Sequence, residues 1–263
     1  MAEYYLDQAW HAERERLDSM AALWDPGTLA LARQCGLAPG QSVLEVGAGA
    51  GSVARQFAAE VGPAGLVTAV DIETRFLADI DLPQVEIVQC DDRTEALPAA
   101  RYDLVHCRMM LEHLVATSGD VLDAMIAALK PGGWLLVEDY DWHGIEVPWP
   151  ETPVLRAFFE PVFAFLTGQG LYDPHYGRTL LARLRAAGLS DTSAQYRGVQ
   201  LFCDPDRGVA PFDLFAAQIS PQLVAAGVIG QQHVDALSAL THDGRSVVPS
   251  PMMFAAFGRK PTA

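Results

Sequence analysis

Residues 43 to 51 read Val43-Leu44-Glu45-Val46-Gly47-Ala48-Gly49-Ala50-Gly51, a short apolar strand running straight into three alternate glycines. A helical pattern follows, with Ser52 near its start and Val53, Ala54, Phe57 and Ala58 on one face. Glycine is required where the chain turns sharply and a ligand must approach bare backbone. The N–H groups at the following helix start then face a polar or anionic group. This combination constrains the chain to a strand–loop–helix unit that binds a nucleotide. Which nucleotide is left open by the glycines alone. Gly49-Ala50-Gly51-Ser52-Val53-Ala54 also satisfies the dinucleotide pattern G-x-G-x-x-G/A, and Asp71 supplies an acid at a spacing that fits either reading.

Glu45, on the strand two residues before the first glycine, is not required by dinucleotide folds, and further landmarks follow in order. They are Val67-Thr68-Ala69-Val70-Asp71, Val88-Gln89-Cys90-Asp91-Asp92, Tyr102-Asp103-Leu104-Val105-His106-Cys107, Leu111-Glu112-His113-Leu114, and Leu129-Lys130-Pro131-Gly132-Gly133 leading into Trp134-Leu135-Leu136-Val137-Glu138. Over about residues 40 to 140 the chain resembles the class I S-adenosylmethionine-dependent methyltransferases of small-molecule type. The resemblance implies S-adenosyl-L-methionine as cofactor. It assigns Asp71 to the ribose hydroxyls and Asp91 or Asp92 to the adenine amino group. Cys90 and Asp92 depart from the Gly-Asp-Ala more usual there. Gly47, Ala48, Gly49 and Gly51 go to the cofactor's methionyl part and ribose. Glu45, Ile72, Cys107 and Arg108 complete the cofactor set. Arg108 has two readings, a partner for the cofactor carboxylate or for Glu112. Tyr5, with Tyr4, caps the pocket or belongs to a frayed terminus.

The chain has 263 residues, half of them apolar, enough to bury a full core as one domain, 1–263. A formal net charge of −15 with no basic stripe argues against a nucleic-acid partner. The four cysteines, Cys35, Cys90, Cys107 and Cys203, show no C-x-x-C spacing and read as buried thiols, with no metal expected. The start Met-Ala-Glu-Tyr-Tyr-Leu-Asp lacks a basic, then apolar, leader, and no uncharged apolar run of about 18 residues occurs. A cytoplasmic protein without a membrane partner is the expectation.

Strand patterns at about 42–46, 66–71, 85–89, 102–107 and 134–139 alternate with helical ones at about 52–61, 74–80, 109–116 and 119–129. Such alternation gives a parallel sheet with helices on both faces, and ligands bind beyond the carboxyl ends of its strands. Before it, residues 8–24 have helical spacing, broken at Asp25-Pro26-Gly27-Thr28, with Thr28 opening a second helix through Cys35. After it come helical patterns at 175–187, ending at Gly188, and at 211–240, and strand patterns at 192–203 and 247–259. By resemblance the two late strands form an antiparallel hairpin, making an α/β Rossmann-like, doubly wound, seven-stranded mixed sheet. Residues 1–36 then form a helical lid, and 141–174 and 204–246 become cap insertions.

The transfer needs little acid–base help if the acceptor is already reactive, because alignment and exclusion of water supply most of the acceleration. His113 and His143 are the imidazoles best placed to take a proton from a hydroxyl, with Asp141 orienting His143. The alternative for each is a structural role. His175 is a weaker candidate, and His106, within a strand, reads as core. Aromatics between Trp142 and Phe165 either bind a flat, apolar acceptor or form the cap's own core. The partner expected is a small apolar or aromatic specialised metabolite, methylated at oxygen, nitrogen or carbon. Trp10 and Trp24 offer a surface for a homodimer. Two further readings are a cofactor-binding cyclase of the same fold and a non-catalytic cofactor binder.

Overall fold

The computed structural model describes residues 6, 9–91, 95–144 and 147–262. Seven strands form the main sheet. In chain order these are β1 (Ser42–Val46), β2 (Leu66–Asp71), β3 (Val85–Gln89), β4 (Tyr102–Arg108), β5 (Leu129–Asp141), β6 (Ser190–Arg197) and, after a separate pair β7 (Gln200–Phe202) and β8 (Val247–Pro249), β9 (Met252–Arg259). The spatial order is β3-β2-β1-β4-β5-β9-β6. The first five strands are parallel, and β9 runs antiparallel to both β5 and β6. The order reverses between β1 and β4, so a crevice opens beyond their carboxyl ends.

Strands covered on both faces read as continuous apolar runs, and period-two alternation sends successive side chains to opposite layers. Val43 and Leu104 pack with Leu31 and Ala32 of α1 (Glu13–Gln34) and Phe57 and Ala58 of α2 (Ser52–Val61). Leu44, Val105 and Cys107 pack with Val121 and Met125 of α3 (Ser118–Ala128). Leu180 and Leu184 of α5 (Leu180–Ala186) complete that second layer. A third cluster belongs to the cap. There Phe158, Phe159 and Val162 of α4 (Val154–Gly168) meet Phe212 and Ile219 of α6 (Ala210–Ala225) and Leu237 and Leu240 of α7 (Gln231–Thr241).

Several boundaries differ from the sequence pattern. The proposed break at residues 25–28 is absent: α1 continues through Pro26. Proline removes one helical hydrogen bond, but a buried polar network holds both sides of it. Arg108 Nη2 donates to Asp25 Oδ1 at 2.7 Å and Nη1 to Thr28 Oγ1 at 2.8 Å. Thr28 also donates to Glu138, whose other oxygen pairs with Arg197 at 2.8 Å. Tertiary contacts thus override a local breaker.

Residues 74–80 form turns closed by Leu77 N–H to Thr74 and Ile80 N–H to Leu77, with no regular helix. The helix expected at 109–116 shrinks to a 3-10 turn, Leu111–His113, entered through Met109 at φ +52. At 175–187 a 3-10 turn, Tyr176–Thr179, precedes α5, and Gly188 follows at φ +82. The pattern at 192–203 splits at Gly198-Val199, because β7 leaves the main sheet to pair with β8. The pattern at 247–259 splits at Ser250-Pro251, where proline has no N–H to donate. Gly227, at φ +71, separates α6 from α7.

Candidate active site

The glycine loop is stitched to the sheet before it meets anything else. Gly47 and Ala48 N–H both donate to the Val70 carbonyl, at 2.9 and 3.0 Å. Asp71, at the end of β2, accepts from Gly49 N–H at 2.7 Å on one carboxylate oxygen and from Glu73 N–H at 2.9 Å on the other. Burial raises the Asp71 carboxyl above its ordinary range despite those two donors. Gly47 needs its φ of +72, and a Cβ there would lie 2.9 Å from Met110 Sδ.

One continuous cavity of about 1070 Å³ runs from this loop to the cap. A single small-molecule site typically occupies roughly 300–1,000 Å³. Glu45, Gly47, Ala48, Gly49, Asp71, Ile72, Asp91 and Arg108 all line its sheet end. Ile72 is exposed and offers an apolar face at the mouth. Burial pushes the Glu45 carboxyl up to about 8, and its Oε2 has no hydrogen-bond partner among the described residues.

Three expectations at this end need correction, and three more residues fall outside the described ones. Gly51 does not line the cavity; it starts α2 at φ +73, and a Cβ there would meet Leu77 at 2.8 Å and Ile80 at 2.7 Å. Its smallness serves packing. Cys107 is fully buried in the layer facing α3, where strand alternation sends it, away from the cavity. Arg108 pairs with Asp25 at 2.7 Å and not with Glu112. Asp92, Tyr4 and Tyr5 lie outside the described residues.

The other end is made of side chains. Met109, Glu112, His113, Tyr140, Trp142, Tyr172, Phe212 and Phe215 line it, and α1 closes it with Glu13, Arg16, Leu17 and Met20. Asp139, at the end of β5, shapes the loop that presents Glu112. One of its oxygens accepts from Met110 N–H at 3.0 Å and from Glu112 N–H at 3.5 Å. Burial, with the nearby Glu138 and Asp173 charges, raises Asp139 to about 8, and burial with the Asp139 charge raises Glu112 well above its ordinary range. Burial and the nearby Arg16 hold His113 down at about 3, so it is a neutral imidazole at working pH.

His143 is corrected: it is exposed and does not line the cavity. Asp141 is also corrected. From His143 its carboxylate accepts only the backbone N–H, and it is otherwise engaged by Arg178 Nη2 at 2.7 Å and His175 Nδ1 at 2.8 Å. Burial pushes Asp141 up, but Arg178 and His175 outweigh it and hold it below the usual carboxylate range. His106 is core, with Nε2 3.5 Å from Glu138. Trp24 is buried and donates to the Tyr140 hydroxyl at 2.6 Å, so it offers no dimer surface.

Sequence reasoning passed over Glu13, Arg16 and Tyr172, and it gave Glu112 only a place in a motif and one of the two pairings weighed for Arg108. Glu13 and Arg16 carried a signal, an acid and a base one helical turn apart near bulky apolar positions. They form a buried ion pair at 2.7 Å, to which Gln218 of α6 adds a hydrogen bond at 3.2 Å. No group of His, Cys, Asp and Glu among the described residues is arranged to hold a metal ion.

A family model described as a methyltransferase domain matches residues 13–194. The chain belongs to the class I S-adenosylmethionine-dependent methyltransferases. Methyltransferase str2 of Strobilurus tenacellus is 33% identical over 149 residues, covering 56% of this chain and 52% of that protein. The ubiquinone/menaquinone biosynthesis C-methyltransferase UbiE of Ectopseudomonas mendocina (strain ymp) is 32% identical over 153 residues, covering 55% and 56%. The chain thus spans about half the length of these curated relatives. Among solved structures, Haemonchus contortus phosphoethanolamine N-methyltransferase 2 aligns with a TM-score of 0.59 and 19% identity, covering 99% of this chain and 60% of that one. The [4+2]-cyclase SpnF aligns with a TM-score of 0.53 and 19% identity, covering 91% and 84%. At those identities the likeness is one of fold. This methyltransferase fold, with no described helix long and apolar enough to cross a membrane, is built around the cavity just described.

Proposed function

We propose that this methyltransferase moves a methyl group from S-adenosyl-L-methionine to the oxygen of a small apolar or aromatic metabolite enclosed beneath the cap. The observation that carries the reading is the continuous cavity with two unlike ends, at the upper limit of what one small-molecule site occupies. The lining fits the cofactor. Bare backbone from Gly47 to Ala50 admits close approach, the Asp71 carboxylate suits a pair of hydroxyls, and the buried Glu45 Oε2 suits an ammonium group. Bound there, S-adenosyl-L-methionine supplies a methyl group on a positively charged sulfur.

The chain's own residues then do three things. The glycine loop and Asp71 fix one reactant to the rigid edge of the sheet. The aromatic walls Trp142, Tyr172, Phe212 and Phe215 hold the other and exclude water. Leu17 and Met20 of α1 close over both. Alignment of two held reactants supplies most of the acceleration, up to about 7–11 kcal/mol in well-oriented cases.

A carbon acceptor is the second reading, favoured by the likeness to a quinone-biosynthesis C-methyltransferase. Calorimetric titration with S-adenosylhomocysteine tests the cofactor half: micromolar binding is expected, and absence of binding overturns the reading. Transfer of labelled methyl to a panel of phenols, hydroquinones and amines, with the product's methylated atom assigned by NMR, separates oxygen from nitrogen and carbon.

A further inference from the structure

Two charged residues reach the cap end of the cavity from its roof. Glu13 and Arg16, one turn apart on α1, both line it, in company with the aromatic side chains of Trp142, Phe212 and Phe215. Arg16 Nε donates to Glu13 Oε2 at 2.9 Å and Nη2 to Oε1 at 2.7 Å, a side-on bidentate pair. Gln218 of α6 donates to Glu13 Oε2 at 3.2 Å. So engaged, the Glu13 side chain keeps only 3% of its surface, against 11% for Arg16. The cavity therefore meets the guanidinium more than the carboxylate. A side-on pair also fixes the guanidinium plane and turns its Nη1 edge away from Glu13. An ion pair withdrawn from water is costlier than two apolar residues of similar volume, so its place in the roof of a ligand cavity points to a ligand.

We infer that Arg16 is a specificity-determining residue for an uncharged acceptor, its guanidinium donating to a carbonyl or ether oxygen other than the atom that is methylated. This rests on the methyl-transfer reading given above. A guanidinium has donors only and keeps its proton, so it cannot relieve an attacking hydroxyl of its hydrogen. What it can hold is a second oxygen, and holding it fixes the acceptor's orientation.

Place and charge both narrow the ligand. The Arg16 charge bears on His113 and on the Tyr140 hydroxyl, which line the cap end. The charges bearing most on Glu45 and Asp71, at the sheet end, come instead from Arg108, Asp25 and Glu73. Arg16 thus belongs to the acceptor's half of the cavity. Its charge is already balanced by Glu13. A carboxylate brought to Arg16 would meet the Glu13 charge close behind it in a dry setting, and an ammonium would meet a cation that offers only donors. A neutral oxygen leaves the pair intact and gains a charge-assisted hydrogen bond.

The test is calorimetric titration of four phenols of similar shape into the full chain saturated with S-adenosylhomocysteine. The probes are 4-hydroxyacetophenone, 4-isopropylphenol, 4-hydroxybenzoate and tyramine. The wild type should bind the ketone at least about tenfold more tightly than each of the other three, the scale of one hydrogen bond to a charged group. Glu13→Gln keeps the cation and removes its counter-charge, so it should tighten 4-hydroxybenzoate at least about tenfold. Removing Arg16 alone would strand a buried carboxylate, so the double variant Glu13→Gln/Arg16→Met is the one to compare. There the ketone should fall to within about twofold of 4-isopropylphenol, with S-adenosylhomocysteine affinity also within about twofold of wild type. A ketone preference that survives in the double variant, no gain of 4-hydroxybenzoate in Glu13→Gln, a wild type that favours the carboxylate or the amine, or no binding of any probe would overturn the inference. A double variant that loses S-adenosylhomocysteine affinity and keeps the ketone preference would overturn it in favour of a cofactor contact for Arg16. Loss of S-adenosylhomocysteine binding by the wild type would instead sink the methyl-transfer reading, so the two failures are distinct. Should the double variant fail to fold, the wild-type ranking and Glu13→Gln still decide.

Discussion

The two ends of the cavity are built from different materials. At the sheet end, backbone does the binding: positive-φ glycines, N–H groups pinned to Val70, and one carboxylate that ties the loop to β2. At the cap end, side chains from the β4 and β5 ends, α1, α6 and the segment around Tyr172 converge, and no backbone group dominates. A backbone-made site can be written in a few consecutive residues. A side-chain-made site is assembled from positions far apart in the chain and is free to change without disturbing the loop.

That contrast can be broken by mutation. The largest effect is expected from Gly47→Val. The required φ of +72 and a Cβ only 2.9 Å from Met110 Sδ should abolish S-adenosylhomocysteine binding, by more than about 100-fold in Kd, with the far-ultraviolet dichroism unchanged. Near-normal affinity would mean the loop's backbone path is not essential. Asp71→Ala comes next, with cofactor affinity at least about tenfold weaker, in the range of a lost charge-assisted pair. An unchanged Kd would remove Asp71 from the site.

Phe215→Ala should act only at the other end, raising the acceptor KM about fivefold to tenfold while cofactor Kd moves less than twofold. Equal effects on both ligands would show the two ends are not separable.

The smallest effect concerns pH. Glu45 is raised from 4.5 to about 8 by burial, so between those values the native state keeps a proton that the unfolded chain has lost. The native state then binds more protons, and unfolding free energy falls as pH rises from about 4.5 to 8, levelling off above. Glu45→Gln should flatten that fall in denaturant titrations across the window. A slope equal to wild type would show that Glu45 ionises normally.

The difference in materials also decides what was legible in the sequence. The strand–glycine–helix unit, Asp71 and the parallel sheet are local patterns, and all were readable. Gly51 was read as part of the loop's binding surface, although its tightness comes from Leu77 and Ile80, which no local pattern announces. Cys107 and Glu45 both sit near strand ends, yet alternation sends one into the core and the other to the cavity. Pro26 stopped a helix in the sequence but not in the fold, because Arg108 and Glu138, from β4 and β5, hold Asp25 and Thr28 of α1 on either side of it. His143 looked well placed because it comes just past the strand expected at 134–139. The chain there turns outward, and Asp141 is claimed by Arg178. Glu112 stood in the quoted Leu111-Glu112-His113-Leu114 segment, but its burial beside Asp139 is a property of the fold.

Helix α1 is a roof shared by two rooms. Leu17 is the nearest neighbour a Cβ on Gly49 would meet, at 3.6 Å, while Glu13, Arg16 and Met20 on the same helix face the cap end. A substitution that widens this roof for a bulkier acceptor therefore also loosens the lid over the glycine loop. Diversification of acceptor preference within such a scaffold is cheapest through α6 and the segment around Tyr172, and α1 is the element least free to drift.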